Sequence, residues 1–316
     1  MSNKNKLLVL TAIAILLISL FLFFDIGSNW DYVLPRRVTK IVAIVLAGAA
    51  IAYSTLVFQT ITNNRILTPS ILGLDSLYLL IQTIVVFLFG SATVMMMQAQ
   101  VNFLISLGLM VIFSSILFKL LFKKEGQNIY FLLLIGLIFG TLFESFSSFM
   151  QVLIDPNEFL IVQDRMFASL NNVNSDIIWI ALILLAAAFL YSMKFIKYLD
   201  VMSMGREHAI NLGIDYDYVV KRLLLVVAIL ISIPTALIGP ITFLGLLVVN
   251  VTYEFLKTYQ HKFLIIGSVL VSIVALVGGQ LIVERIFTFS VPISVIINFI
   301  GGIYFIYLLL KERKSW

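Results

Sequence analysis

The chain has 316 residues, 61% of them hydrophobic and only 12% charged, with a mean hydropathy of +1.10, whereas a soluble domain is roughly 45–50% apolar and about 25% charged. This excludes a surface solvated mainly by water, and the absence of cysteine excludes disulfides, thiolate metal sites and cysteine nucleophiles. The net charge of +5 arises from basic residues that flank apolar runs, a pattern that argues against nucleic acid as a partner and for membrane lipid.

A helix that crosses the hydrocarbon core needs about 20 mainly apolar residues, and ten segments fit that template. The first, Leu7 to Phe24, follows Lys4 and Lys6. It is longer than the roughly 7–15 residues of a signal-peptide core and has no small-residue cleavage site before Asp25, so a retained helix is expected. The others are Val38 to Thr60, Ile71 to Gly90, Val101 to Phe122, Ile129 to Ile154, Ile177 to Phe195, Val219 to Ala236, Ile241 to Phe255, Phe263 to Val283 and Pro292 to Leu310. The eighth is short for a span and follows Gly239 and Pro240 directly. With the N-terminus inside, all but five of the 21 Lys and Arg residues fall in cytoplasmic segments, the exceptions being Arg36, Arg37, Lys40, Arg165 and Arg285. That bias places both termini in the cytoplasm. The expectation is a single all-α, polytopic membrane domain over residues 1–316.

Two connections are long. Asp155 to Asp176, on the external side, carries Phe159, Leu160, Ile161, Met166, Phe167 and Leu170 at positions that suit a short amphipathic surface helix. Lys197 to Asp217, on the internal side, is long enough to imply function or structure of its own. Within it Ser203 is placed to N-cap a helix from Met204 to Leu212, Gly213 to end it in the left-handed conformation, and Asp215 to cap the next membrane helix.

No phosphate loop of the form GxxxxGK[ST], no HExxH and no GxSxG occurs, so ATP hydrolysis would have to come from another subunit. The only histidines, His208 and His261, lie beside charged loop segments, and neither a protein-ligated metal nor a cofactor is expected. Glu144 falls deep in the fifth span, where an ionised side chain facing lipid costs about 2–4 kcal/mol. It should face a cavity or the helix bundle, either lining a translocation path or serving as a hydrogen-bonded structural glutamate. Gly48 with its neighbouring alanines, and Gly136 with Gly140, are small residues that let helices approach closely. Asp75, near the internal end of the third span, reads as an interfacial or capping residue. On charge alone Arg36, Arg37 and Arg285 read as snorkelling anchors.

The segment from Leu34 to Ser76 resembles the signature region of the iron-siderophore and cobalamin importer permeases. That family carries LPR, then AGAALA, then a glutamine, then RNPLAxPxxLG. Here the matching residues are Leu34, Pro35 and Arg36, then Ala47 to Ala52, then Gln59, then Asn64 to Gly73. Gly239 to Leu246 is similar to the family's GPIGFVGL, Ala209 to Gly213 to the end of its internal loop, and Val291 to Ile293 with Gly301 to Phe305 to its C-terminal motifs. The resemblance implies a type II ABC importer permease fold of ten helices. Two such permeases would enclose a pathway, with two ATP-binding subunits inside and a siderophore-binding protein outside.

By the same resemblance, Arg36, with Arg37 and Arg285, would dock the binding protein. Asn64, Arg65 and Ile66 would form part of a cytoplasmic gate, while Glu144 is a pathway candidate from its depth in the span alone. The coupling element to the ATPase would be Met204, Gly205, Arg206, Glu207, His208, Ala209, Ile210, Asn211, Leu212 and Gly213. Several positions depart from the family pattern: Arg65 replaces the proline of NPLA, the usual VPHxxR reads Val248, Val249, Asn250 and Tyr253, and Ile303 replaces the proline of GxPxF. These departures resemble the second permease of paired catecholate-type siderophore systems and imply a heterodimer. Haem or cobalamin are alternative cargoes within the family. An ion-coupled secondary transporter, or more remotely an intramembrane enzyme, are the readings outside it.

Overall fold

The computed structural model describes residues 2–25, 29–90, 99–121, 129–170, 173 and 175–313. Phe122, the expected end of the fourth span, lies outside these. The described residues form thirteen α-helices: α1 (Asn3–Phe23), α2 (Trp30–Thr62), α3 (Leu74–Phe89), α4 (Ala99–Leu121), α5 (Ile129–Leu153), α6 (Pro156–Arg165), α7 (Ser175–Met193), α8 (Ile196–Met202), α9 (Arg206–Asn211), α10 (Tyr216–Ile238), α11 (Leu244–Leu256), α12 (His261–Arg285) and α13 (Ile293–Arg313). Seven of them, α1, α2, α4, α5, α7, α10 and α12, are long and apolar enough to cross a membrane.

The ten expected spans all coincide with apolar helices, but two of these helices are short. Among the described residues α3 has 16 residues and α11 has 13, about 24 and 20 Å of rise against a hydrocarbon core of about 30 Å. The chain before α3 and α11 is not α-helical. A 3₁₀ turn, Pro69–Leu72, leads into α3, and Gly239 to Phe243 leads into α11. The 3₁₀ turn crosses α5 at Gly136 and Gly140, about 10 and 16 Å along that helix from its start. A Cβ on Gly136 would come within 2.8 Å of the Leu72 Cα, so only glycine permits this crossing.

The centre of the bundle is α2, buried almost continuously from Ala43 to Thr62. It packs on α10, α11 and α12. Gly48 allows the α12 contact, since a Cβ there would lie 2.8 Å from the Ser272 hydroxyl. The helices α1 and α5 are peripheral: α1 leans on α12, and α5 packs on α3. Hence α2 and α10 are buried over most of their apolar length, whereas α5 leaves much of its surface uncovered.

The segment between α7 and α10 differs from the single helix expected over Met204 to Leu212. Ser203 ends α8 instead of starting a helix, its hydroxyl donating to the Asp200 carbonyl at 2.7 Å. Gly205, at φ +104°, turns the chain into α9, which begins only at Arg206. The end of the helix is as expected. Gly213 adopts φ +81°, its N–H donating to Ile210 and the Ile214 N–H to Ala209, the paired bonds of a Schellman cap. Asp215 caps α10 by accepting the Tyr218 N–H at 3.1 Å. The surface helix expected between Asp155 and Asp176 is α6, capped by Asp155 and seated by buried Val162.

Candidate functional site

At one end of the bundle, α2 stops where Asn63 turns left-handed at φ +48°. Asn64 and Ile66 form a tight side-chain turn, the Asn64 Oδ1 accepting the Ile66 N–H at 2.9 Å. Between them the Arg65 carbonyl accepts two side-chain amides, Gln59 Nε2 at 2.7 Å and Asn250 Nδ2 at 2.9 Å. The Arg65 guanidinium lies 4.4 Å from the centroid of the Tyr253 ring. Arg65, Asn250 and Tyr253 are three of the positions at which the sequence departs from the family pattern. A departure just past α2 thus meets two on α11, a contact that a position-by-position reading did not reveal.

The opposite end gathers Arg36, Arg37 and Arg285 with Asp25, Lys40 and Glu284, but the three arginines are not equivalent. Arg37 donates to the carbonyls of Phe21, Leu22, Phe24 and Asp25. Arg285 pairs with Asp25 at 2.6 Å and donates to the Phe24 carbonyl. Both satisfy the carbonyls left unpaired at the C-terminus of α1. Lys40 and Glu284 form a largely buried ion pair at 2.8 Å. Arg36 is exposed, stacked 4.0 Å from the Tyr32 ring, and makes no ion pair among the described residues. With Arg37, Lys40, Leu170, Val173 and Phe289 it lines a cleft of about 760 Å³.

Glu144 lies on the uncovered face of α5 rather than in the bundle. Thr141, Glu144, Ser145 and Ser148, at i, i+3, i+4 and i+7, are all exposed and form a polar stripe. The stripe flanks the packed glycines and borders exposed apolar residues such as Ile138, Leu142 and Phe149. Asp75, expected to be interfacial or a cap, does sit at a helix start, but inside the bundle rather than at an interface. It occupies the first turn of α3, and the hydroxyls of Ser70 and Thr242 hydrogen bond it. Thr55, Thr68 and Thr235 complete its surroundings. Its place could not be inferred from hydropathy, because the preceding 3₁₀ turn carries the start of α3 inward.

On the end that holds Arg65, α8 and α9 form a compact unit that packs on α2, α10 and α12. Ala209 is buried, while Met204, Ile210 and Leu212 are exposed apolar side chains. Arg206 pairs with Asp217 at 3.5 Å.

Together these features define a helical membrane protein with polar or charged features at both ends, an uncovered polar stripe on α5 and two helices that begin inside the bundle. The sequence profile described as the FecCD transport family matches residues 7–311, and the chain belongs to that family. It is 65% identical, over the full length of both chains, to the petrobactin import system permease protein YclO of Bacillus subtilis. It is 38% identical to the petrobactin import system permease protein FatC of Bacillus anthracis, over 89% of this chain and 79% of that one. The fold is that of a solved inward-facing metal-chelate type ABC transporter, at 19% identity, with a TM-score of 0.81 over 98% of this chain and 100% of the other.

Proposed function

We propose that the chain is a permease subunit of an ATP-driven importer that carries ferric-siderophore complexes across the bacterial cytoplasmic membrane by alternating access. The observation that carries this reading is the end-to-end 65% identity to a petrobactin import permease, and ferric petrobactin is the first cargo to test. All ten apolar helices belong to the membrane region in this reading, with both termini cytoplasmic, the Arg36 end outside and the Arg65 end inside.

The polar stripe of α5 supports a pathway shared with a second, different permease: a face bearing Glu144 is costly against lipid and suits a water-filled interface. The exposed apolar residues of α8 and α9 suit a contact with an ATP-binding subunit, and free Arg36 suits an acidic lobe of an extracytoplasmic binding protein. ATP would be hydrolysed by the partner, and its binding would shift the permeases between inward and outward states.

Deleting the gene should abolish energy-dependent uptake of radiolabelled ferric petrobactin, and the wild-type gene should restore it. Unchanged uptake of petrobactin and other ferric siderophores in the deletion strain would overturn the reading. Transport by the chain alone in ATP-free vesicles would instead indicate a secondary transporter.

A further inference from the structure

The geometry points to a chain of side chains, Asp200–His261–Thr60, as the connection that holds the α8–α9 unit to the end of α2. We infer that Asp200 and His261 are positioning residues through which movement of that unit reaches Arg65. This rests on the reading above that the α8–α9 unit contacts the ATP-binding subunit.

His261 is only 1% exposed, yet both ring nitrogens have partners on other helices. Nδ1 donates to Asp200 Oδ1 at 2.7 Å, and Nε2 lies 2.8 Å from the Thr60 hydroxyl. The same Asp200 oxygen accepts the backbone N–H of His261 at 2.8 Å. A carboxylate at the end of α8 thus caps α12 from 61 positions away and orients its first side chain.

The far end of the chain also leads somewhere. Thr60 belongs to the last turn of α2, and the Tyr253 hydroxyl hydrogen bonds it while the Tyr253 ring carries the Arg65 guanidinium. From Asp200 to Arg65 the contacts run through α8, α12, α2 and α11 without a gap. The order of Asp, His and Thr has the form of a nucleophilic relay, but Thr60 is buried in the bundle, and its one hydroxyl proton is shared between His261 Nε2 and the Leu56 carbonyl, each at 2.8 Å. The arrangement therefore serves position and not chemistry on a substrate.

A rigid, fully bonded link transmits displacement between elements, whereas loss of one member leaves buried polar groups unpaired and the elements free to move separately. In the assembled importer, Asp200→Ala and His261→Ala should lower uptake per ATP hydrolysed by about five-fold or more, with ATP hydrolysis continuing. Asp200→Asn keeps an oxygen that accepts both N–H groups and should retain most of the coupling. Thr60→Val removes only the last link, so it reads the same effect if the other variants fail to accumulate.

A wild-type ratio of uptake to hydrolysis in Asp200→Ala or Thr60→Val would overturn the inference. An equal loss in Asp200→Asn and Asp200→Ala would also overturn it, as would a parallel fall of uptake and hydrolysis in Thr60→Val. Failure of the underlying reading is separately visible: cysteines placed at Met204 or Leu212 would then give no crosslink to the ATP-binding subunit in the wild-type background.

Discussion

A guanidinium is worth what its neighbours leave free, and the three arginines at the Arg36 end show this. Arg37→Ala should strip donors from four carbonyls at the end of α1 and cost about 1–3 kcal/mol, seen as a lower melting temperature in detergent with binding-protein affinity unchanged. Arg36→Glu should do the reverse: full stability, but association with the loaded binding protein weakened by about ten-fold at low salt and by less as salt rises. Equal affinity of variant and wild type at low ionic strength would return Arg36 to the role of a snorkelling anchor. At the other end, Arg65 and Tyr253 form a cation–π pair, a contact worth about 0.5–2 kcal/mol. Tyr253→Arg alone sets two cations together and should depress uptake, whereas Arg65→Pro combined with Tyr253→Arg restores the family's residue types at both positions and should recover part of it. A double variant no better than the single one would show that the contact is incidental.

At the scale of elements, two glycines hold different kinds of constraint. Gly213 sits at φ +81°, so Gly213→Val should strain the end of α9 by about 1 kcal/mol or more and lower uptake while the protein still accumulates. Wild-type uptake with wild-type ATPase stimulation would remove this segment from the coupling role. Gly136 is constrained by space, and Gly136→Leu should push the 3₁₀ turn off α5 and sharply reduce folded protein recovered in detergent. Hydropathy revealed every apolar helix, because about 20 non-polar residues in a row can be solvated only by lipid or by other apolar helices. It could not show that α3 and α11 begin inside the bundle, since non-helical backbone surrounded by protein has the same apolar sequence as the helix it replaces. The same blindness left Asp75 as an interfacial or capping residue and missed its bond to Thr242. The caps between α7 and α10 were legible only in part: Gly213 and Asp215 act through local rules, whereas Ser203 was drawn into the preceding helix by a carbonyl three residues back.

For the whole molecule, the uncovered stripe on α5 implies an unfilled side. Glu144→Gln should leave the fold intact and alter uptake, and a cysteine at position 144, unique in a chain without others, should react with a water-soluble maleimide in the assembled complex. Failure to label in every nucleotide state would mean that the stripe is closed by protein. Another consequence concerns the order in which the protein is made. Its first helix is tied at one end by Arg37, only 12 to 16 positions downstream of its partners, but at the other end Lys6 donates to the carbonyls of Phe255 and Leu256, and Arg285 reaches back to Asp25 across 260 positions. A ribosome must therefore synthesise most of the chain before α1 can be latched at both ends. Until then the nascent helix stands in the bilayer held only by its hairpin with α2, and chains truncated before α11 should expose it to degradation by membrane proteases.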